Sequence, residues 1–188
     1  MGIPGEGDEE PVAPRAVSEE DLAALAQVED ELKARWPETI IDPSLERIEM
    51  LMDFLGDPQK SFKVIHVAGT NGKTSTVRMI ESLLRSFGNR VGRTTSPHLQ
   101  MVTERIGIDG EPIHPADFVR IYREIQPYIE MVDERTGTRM SYFEVMVAIA
   151  YAAFADAPVD VAVVEVGMGG RWDATNVVDA DVDVIMPV

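Results

Sequence analysis

The sequence predicts an α/β fold with a mostly parallel β-sheet flanked by helices. Short runs of β-branched and other apolar residues, typical of buried strands, alternate with stretches of helical apolar spacing. The run over 159–166 is almost wholly apolar, as expected of a central parallel strand. A Gly-rich turn separates the apolar run at 64–68 from the helical stretch at 74–87, which gives the order strand, loop, helix. A chain of 188 residues is long enough for one large domain, or for a core domain with an appendage.

Three segments are expected along the chain. Residues 1–17 are rich in Gly, Pro and Glu, which is typical of a disordered acidic tail. Residues 18–60 should form an N-terminal helical extension, in which a capping box at 18–21 begins the first helix, Pro37 ends it, and Asp42-Pro43 begins the second. Residues 61–188 should form the α/β core. Its strands are predicted at 64–68, 90–95, 105–108, 159–166 and 182–188, and its helices at 74–87, 115–132 and 141–154.

Composition and charge exclude several functional classes. The net charge is −16, and residues 1–60 carry 16 acidic and 5 basic side chains, against 17 and 12 in residues 61–188. Nucleic-acid binding needs a basic face, which this distribution does not offer. The sequence has no apolar run of transmembrane length, no apolar signal region at its N-terminus and no cysteine. We therefore expect a cytoplasmic protein without membrane or nucleic-acid partners.

A candidate phosphate-binding loop follows the first core strand, and it consists of Gly69, Thr70, Asn71, Gly72, Lys73, Thr74 and Ser75. Glycines let successive N–H groups converge on a phosphate, and the helix that follows points its positive end at the same place. Lys73 would contact the β- and γ-phosphates, and Thr74 or Ser75 would place a hydroxyl on Mg²⁺. The pattern G-x-x-x-x-G-K-[ST] is incomplete, because Val67 occupies its first Gly position. The loop indicates ATP use, and a plain strand–helix turn with an exposed lysine is the alternative.

A second Gly-rich loop follows the apolar run at 159–166. Glu165 lies near the end of that run, and a carboxylate at the end of a buried strand is costly unless a cation or a donor pairs with it. The Mg²⁺ of a bound nucleotide would serve, which makes Glu165 a candidate metal ligand; a glutamate exposed at a strand end is the alternative. Asp173 could cap the next segment or bind ligand, and its spacing favours neither role.

The remaining polar motifs allow two interpretations each. Ser96-Pro97-His98 follows a strand that should neighbour the strand before the phosphate loop. Ser96 could coordinate a cation or cap a turn, and His98 could contact substrate or pack; from the residues alone the structural roles are favoured. His66, inside the strand before the loop, is interpreted as a core histidine with its hydrogen bonds satisfied. The segment 141–144 is interpreted as a capping box that begins an apolar helix.

Three motifs in order over about residues 40–180 resemble folylpolyglutamate synthases. The first is the segment 65–75 with the Leu pair at 83–84 and Gly88, and the second is the segment 163–170 with Asp173, Thr175 and the Val pair at 177–178. The third is Ser96-Pro97-His98-Leu99 followed by Glu104-Arg105-Ile106. The bifunctional bacterial dihydrofolate synthase/folylpolyglutamate synthases, of the Mur ligase superfamily, are the best match.

The resemblance implies an ATP-dependent amide-forming ligase of folate biosynthesis and one-carbon metabolism. ATP would phosphorylate the carboxylate of dihydropteroate, or of a folate such as tetrahydrofolate, and the amine of L-glutamate would attack the acyl phosphate. Lys73 and Glu165 would be catalytic, the loop amides would hold ATP, and Thr74, Ser96 and Glu165 would serve Mg²⁺. The pteroate or folate would be bound by Asp42, Pro43, Ser44, Leu45, Pro97, His98, Ser141, Tyr142, Phe143, Glu144, Trp172, Asp173 and Ala174.

The chain departs from this family in length. Family members are usually monomeric and are roughly twice as long, with a C-terminal domain that contributes to adenine and glutamate binding. They also place a metal-binding histidine, and later a lysine, beyond the point where this sequence stops. We therefore expect an N-terminal part of a ligase that alone binds nucleotide weakly and is close to inactive. A Mur-type ligase acting on a UDP-sugar peptide and a truncated, non-catalytic nucleotide-binding fragment are the alternatives.

Overall fold

The computed structural model describes residues 15–35 and 44–188. The helices are α1 (Glu19–Lys33), α2 (Glu46–Phe54), α3 (Lys73–Ser86), α4 (Pro115–Thr136) and α5 (Tyr142–Asp156). The strands are β1 (Lys63–Ala68), β2 (Val91–Thr94), β3 (Ile106–Ile108), β4 (Glu111–Pro112), β5 (Val161–Glu165) and β6 (Val182–Ile185). The expectations for residues 1–14 and for Pro37, Asp42 and Pro43 lie outside the described residues.

The six strands form one sheet in the order β4-β3-β2-β5-β1-β6. Strands β2, β5, β1 and β6 are parallel, and β3 and β4 extend the sheet in antiparallel fashion beside β2. This confirms the predicted α/β fold with a mostly parallel sheet. One expectation is wrong, because β2, which leads to Ser96, does not neighbour β1. The fully buried β5 lies between them, in the central position where a strand is covered on both faces.

The two faces of the sheet are covered unequally. On one face α5 packs with α1, α2 and α4 in a single hydrophobic cluster, whose largest fully buried side chains include Tyr151, Phe118 and Phe154. On the other face α3 covers a smaller cluster of four valines: Val67, Val77, Val91 and Val163. The helices of the segment 18–60 therefore share their core with α4 and α5.

Local capping explains where several helices begin. Ser18 begins α1 and Ser141 begins α5, each with a complete capping box, as predicted. The Nδ1 atom of His114 accepts a hydrogen bond from the N–H of Ala116 at 3.2 Å and so caps α4, with Pro115 in the first helical position. Among the described residues, no helix has the length and apolar content that crossing a membrane requires.

Candidate functional site

The two Gly-rich loops begin at the same edge of the sheet. They follow β1 and β5, which are adjacent parallel strands in which Val67 lies opposite Glu165. Ser96 follows β2, on the other side of β5. In open parallel sheets ligands bind outside the carboxyl ends of the strands. The topology therefore brings together the three motifs that the sequence analysis identified.

The backbone of the phosphate loop requires glycine at two positions. Gly69 has a φ of 131°, and a Cβ atom there would lie 2.7 Å from the Cβ and carbonyl oxygen of Met186. Gly72 has a φ of 81° and is the N-cap of α3. The N–H groups of Thr70 and Asn71 donate to the carbonyl of Pro187 at 3.1 and 3.4 Å, so the segment that follows β6 supports the loop. The first N–H groups of a helix have no intrahelical acceptor. The N-terminus of α3 is therefore a suitable binding site for an anion.

Lys73 and Thr74 open α3 and present the polar groups of the loop. The Lys73 ammonium donates to the carbonyl of Gly69 at 2.8 Å, so it lies across its own loop. The Thr74 hydroxyl donates to the two carboxylate oxygens of Glu165 at 3.0 and 2.9 Å. Ser75 is exposed. Of the two hydroxyls that the sequence offered for Mg²⁺, that of Thr74 contacts the candidate carboxylate.

Glu165 is a buried carboxylate, with 5% of its surface exposed. Its Oε2 atom also accepts a hydrogen bond from the backbone N–H of Ser96 at 3.3 Å. Burial raises the pKa of Glu165, and the hydrogen bonds from Thr74 and Ser96 and the charge of Lys73 oppose that rise. Proteins usually bind Mg²⁺ through one or two carboxylates together with phosphate oxygens. The pairing of a hydroxyl with a buried carboxylate, beside the phosphate loop, fits that donor set.

A cavity of about 310 Å³ opens beside these groups. It is lined by Lys73, Ser96, Pro97, Phe143, Glu165, Gly167 and Met168. The Phe143 ring lies so close to Gly167 that a side chain at this position would require the ring to move. The cavity thus combines a cation, a carboxylate and an aromatic wall.

The predicted pteroate-side residues do not all meet at this cavity. Pro97 and Phe143 line it. His98 accepts a hydrogen bond from Arg105 at 2.9 Å, and the guanidinium of Arg105 also lies 5.2 Å from the ring centre of Tyr142. Trp172 is 47% exposed on the second Gly-rich loop. The half-buried residues Ser44 and Leu45 precede α2.

Other predicted pteroate-side residues take part in contacts of the fold itself. Ser141 caps α5, and Glu144 is buried in an ion pair with Arg47, whose Nε lies 3.0 Å from its carboxylate. Ala174 is buried in the main hydrophobic cluster. Asp173 is 1% exposed and caps the 3-10 turn Ala174–Val177. The geometry of Asp173 therefore supports the capping alternative.

Sequence reasoning missed two charged groups that shape this edge of the sheet, the buried Arg93 and the half-buried Glu104. Arg93, in β2, donates to the Glu81 carboxylate of α3 at 2.8 Å. The Glu104 carboxylate accepts three backbone N–H groups, from residues 99, 100 and 101, each at 2.9 Å, and these bonds lower the pKa of Glu104. A charged residue within an apolar strand, as at position 93, is the sequence signal that could have identified the first.

Comparisons with known proteins assign the family. No protein-family model matches the chain. The chain is 57% identical, over its whole length, to the dihydrofolate synthase/folylpolyglutamate synthase of Mycobacterium tuberculosis, and covers 39% of that protein. It is 40% identical to the protein of the same name from Bacillus subtilis, with 79% of the chain and 35% of the relative covered.

Solved structures agree with the sequence comparison. The M. tuberculosis folylpolyglutamate synthase complexed with ADP superposes with a TM-score of 0.85 at 59% identity, over 89% of this chain and 37% of that one. A bifunctional folylpolyglutamate synthase/dihydrofolate synthase with Mn, AMPPNP and L-glutamate bound gives 0.74 at 36% identity, over 86% and 37%. The chain thus spans somewhat more than a third of the length of these relatives, and it belongs to the dihydrofolate synthase/folylpolyglutamate synthase family.

Proposed function

We propose that this chain forms the magnesium-nucleotide part of an ATP-dependent ligase that joins L-glutamate to dihydropteroate or to folates such as tetrahydrofolate. The observation that carries the proposal is the Thr74–Glu165 hydrogen bond, which joins the phosphate-loop helix to the central strand of the sheet. The relatives are named for this activity, and one of them binds Mn, AMPPNP and L-glutamate.

Phosphate binding is assigned to the start of α3. Lys73 would exchange its contact with the Gly69 carbonyl for the phosphate oxygens of ATP, and the free N–H groups of the first helical turn would donate to the same oxygens. The chain has a net charge of −16, so these local donors act against an unfavourable overall field. Removal of Lys73 should therefore weaken nucleotide binding more than an average surface lysine would.

The cation site is assigned to Thr74 and Glu165. Mg²⁺ bound there would neutralise charge on the β- and γ-phosphate oxygens during transfer. The backbone N–H of Ser96 holds one oxygen of Glu165 and so orients the carboxylate. Ser96 also lines the cavity beside Glu165, and the direct contact of its hydroxyl with Mg²⁺ that the resemblance implied stays a prediction.

The cavity beside Lys73 and Glu165 is assigned to the carboxylate that receives the phosphoryl group. Transfer from ATP to a carboxylate depends on positioning and charge neutralisation and needs no protein nucleophile. ATP would give up its γ-phosphoryl group to that carboxylate and leave as ADP. The amine of L-glutamate would then displace phosphate from the acyl phosphate to form the amide. Phe143 would face the organic part of the acceptor.

The proposal also covers the partners and the cellular location of the protein. The acidic charge of the chain argues against a nucleic-acid partner, and the ligands named for the relatives are small molecules. We place the protein in the cytoplasm, as a monomer acting on ATP, a pteroate or folate, and L-glutamate.

Calorimetric titration of the 188-residue chain with ADP, with and without Mg²⁺, tests the nucleotide site. The unmodified chain should bind ADP more tightly with Mg²⁺, and Lys73→Ala should weaken that binding by about tenfold or more, as expected for the loss of a charge-assisted contact. Lys60→Ala is the matched control, because Lys60 is an exposed lysine paired with Asp57 away from the loop. Equal ADP affinity in Lys73→Ala and the unmodified chain would reject the site.

A thermal-shift experiment tests the acceptor class. With AMPPNP and Mg²⁺ present, dihydropteroate should raise the unfolding temperature, and a UDP-muramoyl peptide should leave it unchanged. The opposite pattern would reject the folate assignment and favour a Mur-type ligase.

A further inference from the structure

A buried polar chain runs from β1 to the second Gly-rich loop. His66 is 8% exposed, and its Nε2 atom lies 2.7 Å from the hydroxyl of Thr175. That hydroxyl lies 2.6 Å from Oδ1 of Asp173. The other oxygen of Asp173 accepts the N–H groups of Met168 and Gly169 at 2.7 and 2.9 Å. The chain thus links a strand of the sheet to the backbone of the loop.

The donor and acceptor capacity of these side chains determines which atom donates in each of the hydrogen bonds. A carboxylate can only accept, so the Thr175 hydroxyl donates its single proton to Asp173. The Thr175 oxygen must then accept from His66, which places the histidine proton on Nε2. Burial lowers the pKa of His66, so the ring is neutral, and its Nδ1 atom, 3.9 Å from the exposed Asp183 carboxylate, carries no proton.

The same hydrogen bonds determine the conformation of the second Gly-rich loop. Asp173 accepts four hydrogen bonds, because the backbone N–H of Thr175 adds a bond of 3.0 Å to the three already described. Thr175 is held in turn by the Tyr151 hydroxyl of α5, which donates to its carbonyl at 3.1 Å. The backbone that is held in this way begins one residue after Gly167, which lines the cavity against Phe143.

We propose that His66 and Thr175 are positioning residues for the acceptor substrate. They orient Asp173, and Asp173 holds the loop at 167–173 in the conformation that forms the cavity wall near Lys73. The role as substrate-positioning residues rests on the proposed function, whereas the hydrogen-bonded chain itself does not. The cavity wall belongs to the acceptor side. Loss of the hydrogen bonds from His66 through Thr175 to Asp173 should therefore weaken acceptor binding and leave ADP binding nearly unchanged.

The first test measures the loop directly. Thr175→Val keeps the shape of the side chain and removes the hydroxyl, and Thr175→Ser restores it. Thr136→Val is the matched control, because the Thr136 hydroxyl bonds to a helix carbonyl in α4, away from the cavity. By amide hydrogen exchange, Thr175→Val should accelerate exchange of the Met168 and Gly169 amides by about tenfold or more, relative to the slowest core amides.

The exchange outcomes decide the inference without any ligand. Thr175→Ser and Thr136→Val should leave both amides as protected as in the unmodified chain. Nitrogen chemical shifts should show the His66 proton on Nε2, and this signature should be lost in Thr175→Val, where the acceptor is missing. Unchanged protection of Met168 and Gly169 in Thr175→Val, or a proton on Nδ1 of His66, would overturn the inference.

The second test adds the ligands, with dihydropteroate titrated in the presence of ADP and Mg²⁺. Thr175→Val should weaken dihydropteroate binding by about tenfold, the effect of one lost hydrogen bond, and change ADP affinity less than about twofold. Equal losses for both ligands would indicate general destabilisation and overturn the positioning role. Absence of dihydropteroate binding in the unmodified protein would reject the proposed function. The exchange data would still decide whether the hydrogen bonds from His66 through Thr175 to Asp173 hold the loop.

Discussion

The Thr74 hydroxyl donates to both oxygens of the Glu165 carboxylate, at 3.0 and 2.9 Å, over the carboxyl ends of two adjacent parallel strands. The two residues lie far apart in sequence, and the pairing of β1 with β5 brings them together. The candidate cation site therefore depends on the strand order as much as on either motif.

Replacement of Glu165 by Gln should remove the effect of Mg²⁺ on ADP binding. The amide keeps the size of the carboxylate and can still accept from Thr74, but it has no charge to offer a divalent cation. The ratio of ADP affinities with and without Mg²⁺ should fall by about tenfold or more, while affinity without Mg²⁺ stays close to that of the unmodified chain. Glu111→Gln, at an exposed position on the edge strand β4, is the control, and calorimetry is the measurement.

The raised pKa of Glu165 predicts two opposite effects of pH. The folded-state pKa lies above the unfolded value of 4.5, so the folded chain holds this proton more tightly. The contribution of Glu165 to stability is therefore fully present below pH 4.5 and is lost as pH rises through the folded pKa. Mg²⁺-dependent ADP binding should change in the other direction, because protonation removes the ligand as pH falls.

Urea unfolding and ADP titration over the same pH range check this prediction. Glu165→Gln should show a flatter stability profile than the unmodified chain in the window above pH 4.5, since the mutant lacks the titrating group. Identical profiles for the two proteins would contradict the assigned cause of the shift.

The sequence predicted most of the fold because its local signals agree with its tertiary contacts. Apolar runs gave β1 and β5, capping boxes gave α1 and α5, and the strand–loop–helix order gave the start of α3. The sheet order could not be predicted as well. The apolar run marked β5 as a central strand, but local sequence does not show which strands pair with it, and only the structure shows that β5 lies between β1 and β2.

The candidate site was predicted less completely than the fold. Lys73, Thr74 and Glu165 carry strong local signals, and the structure brings them together. Asp173 could not be assigned from spacing, because a buried carboxylate that accepts backbone N–H groups has the same local pattern as one that binds ligand. The four hydrogen bonds that it accepts, from Met168, Gly169 and Thr175, depend on the placement of the loop around it.

Replacement of Gly69 by Ala should destabilise the chain more than the same change at Gly56. Both glycines have positive φ values, of 131° and 77°. A Cβ atom at position 69 would meet backbone and side-chain atoms of Met186 at 2.7 Å, whereas nothing lies within 4 Å at position 56. We expect a loss of about 1 kcal/mol for Gly56→Ala, from the left-handed backbone alone. The loss for Gly69→Ala should be about 3 kcal/mol or more, since strain and overpacking add.

Denaturant unfolding of the two variants provides the comparison. Gly69→Ala should also weaken ADP binding, because the phosphate loop must move away from Met186 to accommodate the new atom. Equal losses of stability in the two variants would show that the contact with Met186 relaxes without cost.

The ion pair between Arg93 and Glu81 should matter far more than the one between Arg120 and Asp156. The first pair is buried, with side-chain exposures of 5% and 6%, and the second is exposed, with 41% and 49%. Removal of one partner of a buried pair leaves an uncompensated charge, which typically costs about 3–5 kcal/mol, whereas exposed pairs contribute about 1 kcal/mol or less. Arg93→Met should therefore lower the free energy of unfolding severalfold more than Asp156→Asn.

The buried pair of Arg93 and Glu81 also lies beside the loop that follows Ser96. Arg93 donates to Glu81 of α3 and, at 3.4 Å, to the carbonyl of Glu104, whose side chain holds the backbone after Ser96. Arg93→Met should therefore accelerate amide exchange at residues 99–101 in addition to lowering stability. Asp156→Asn should leave those amides protected, because its partner Arg120 lies on α4. If the exchange rates at 99–101 rose equally in both variants, the effect would be global, and the pair would have no specific role in holding this loop.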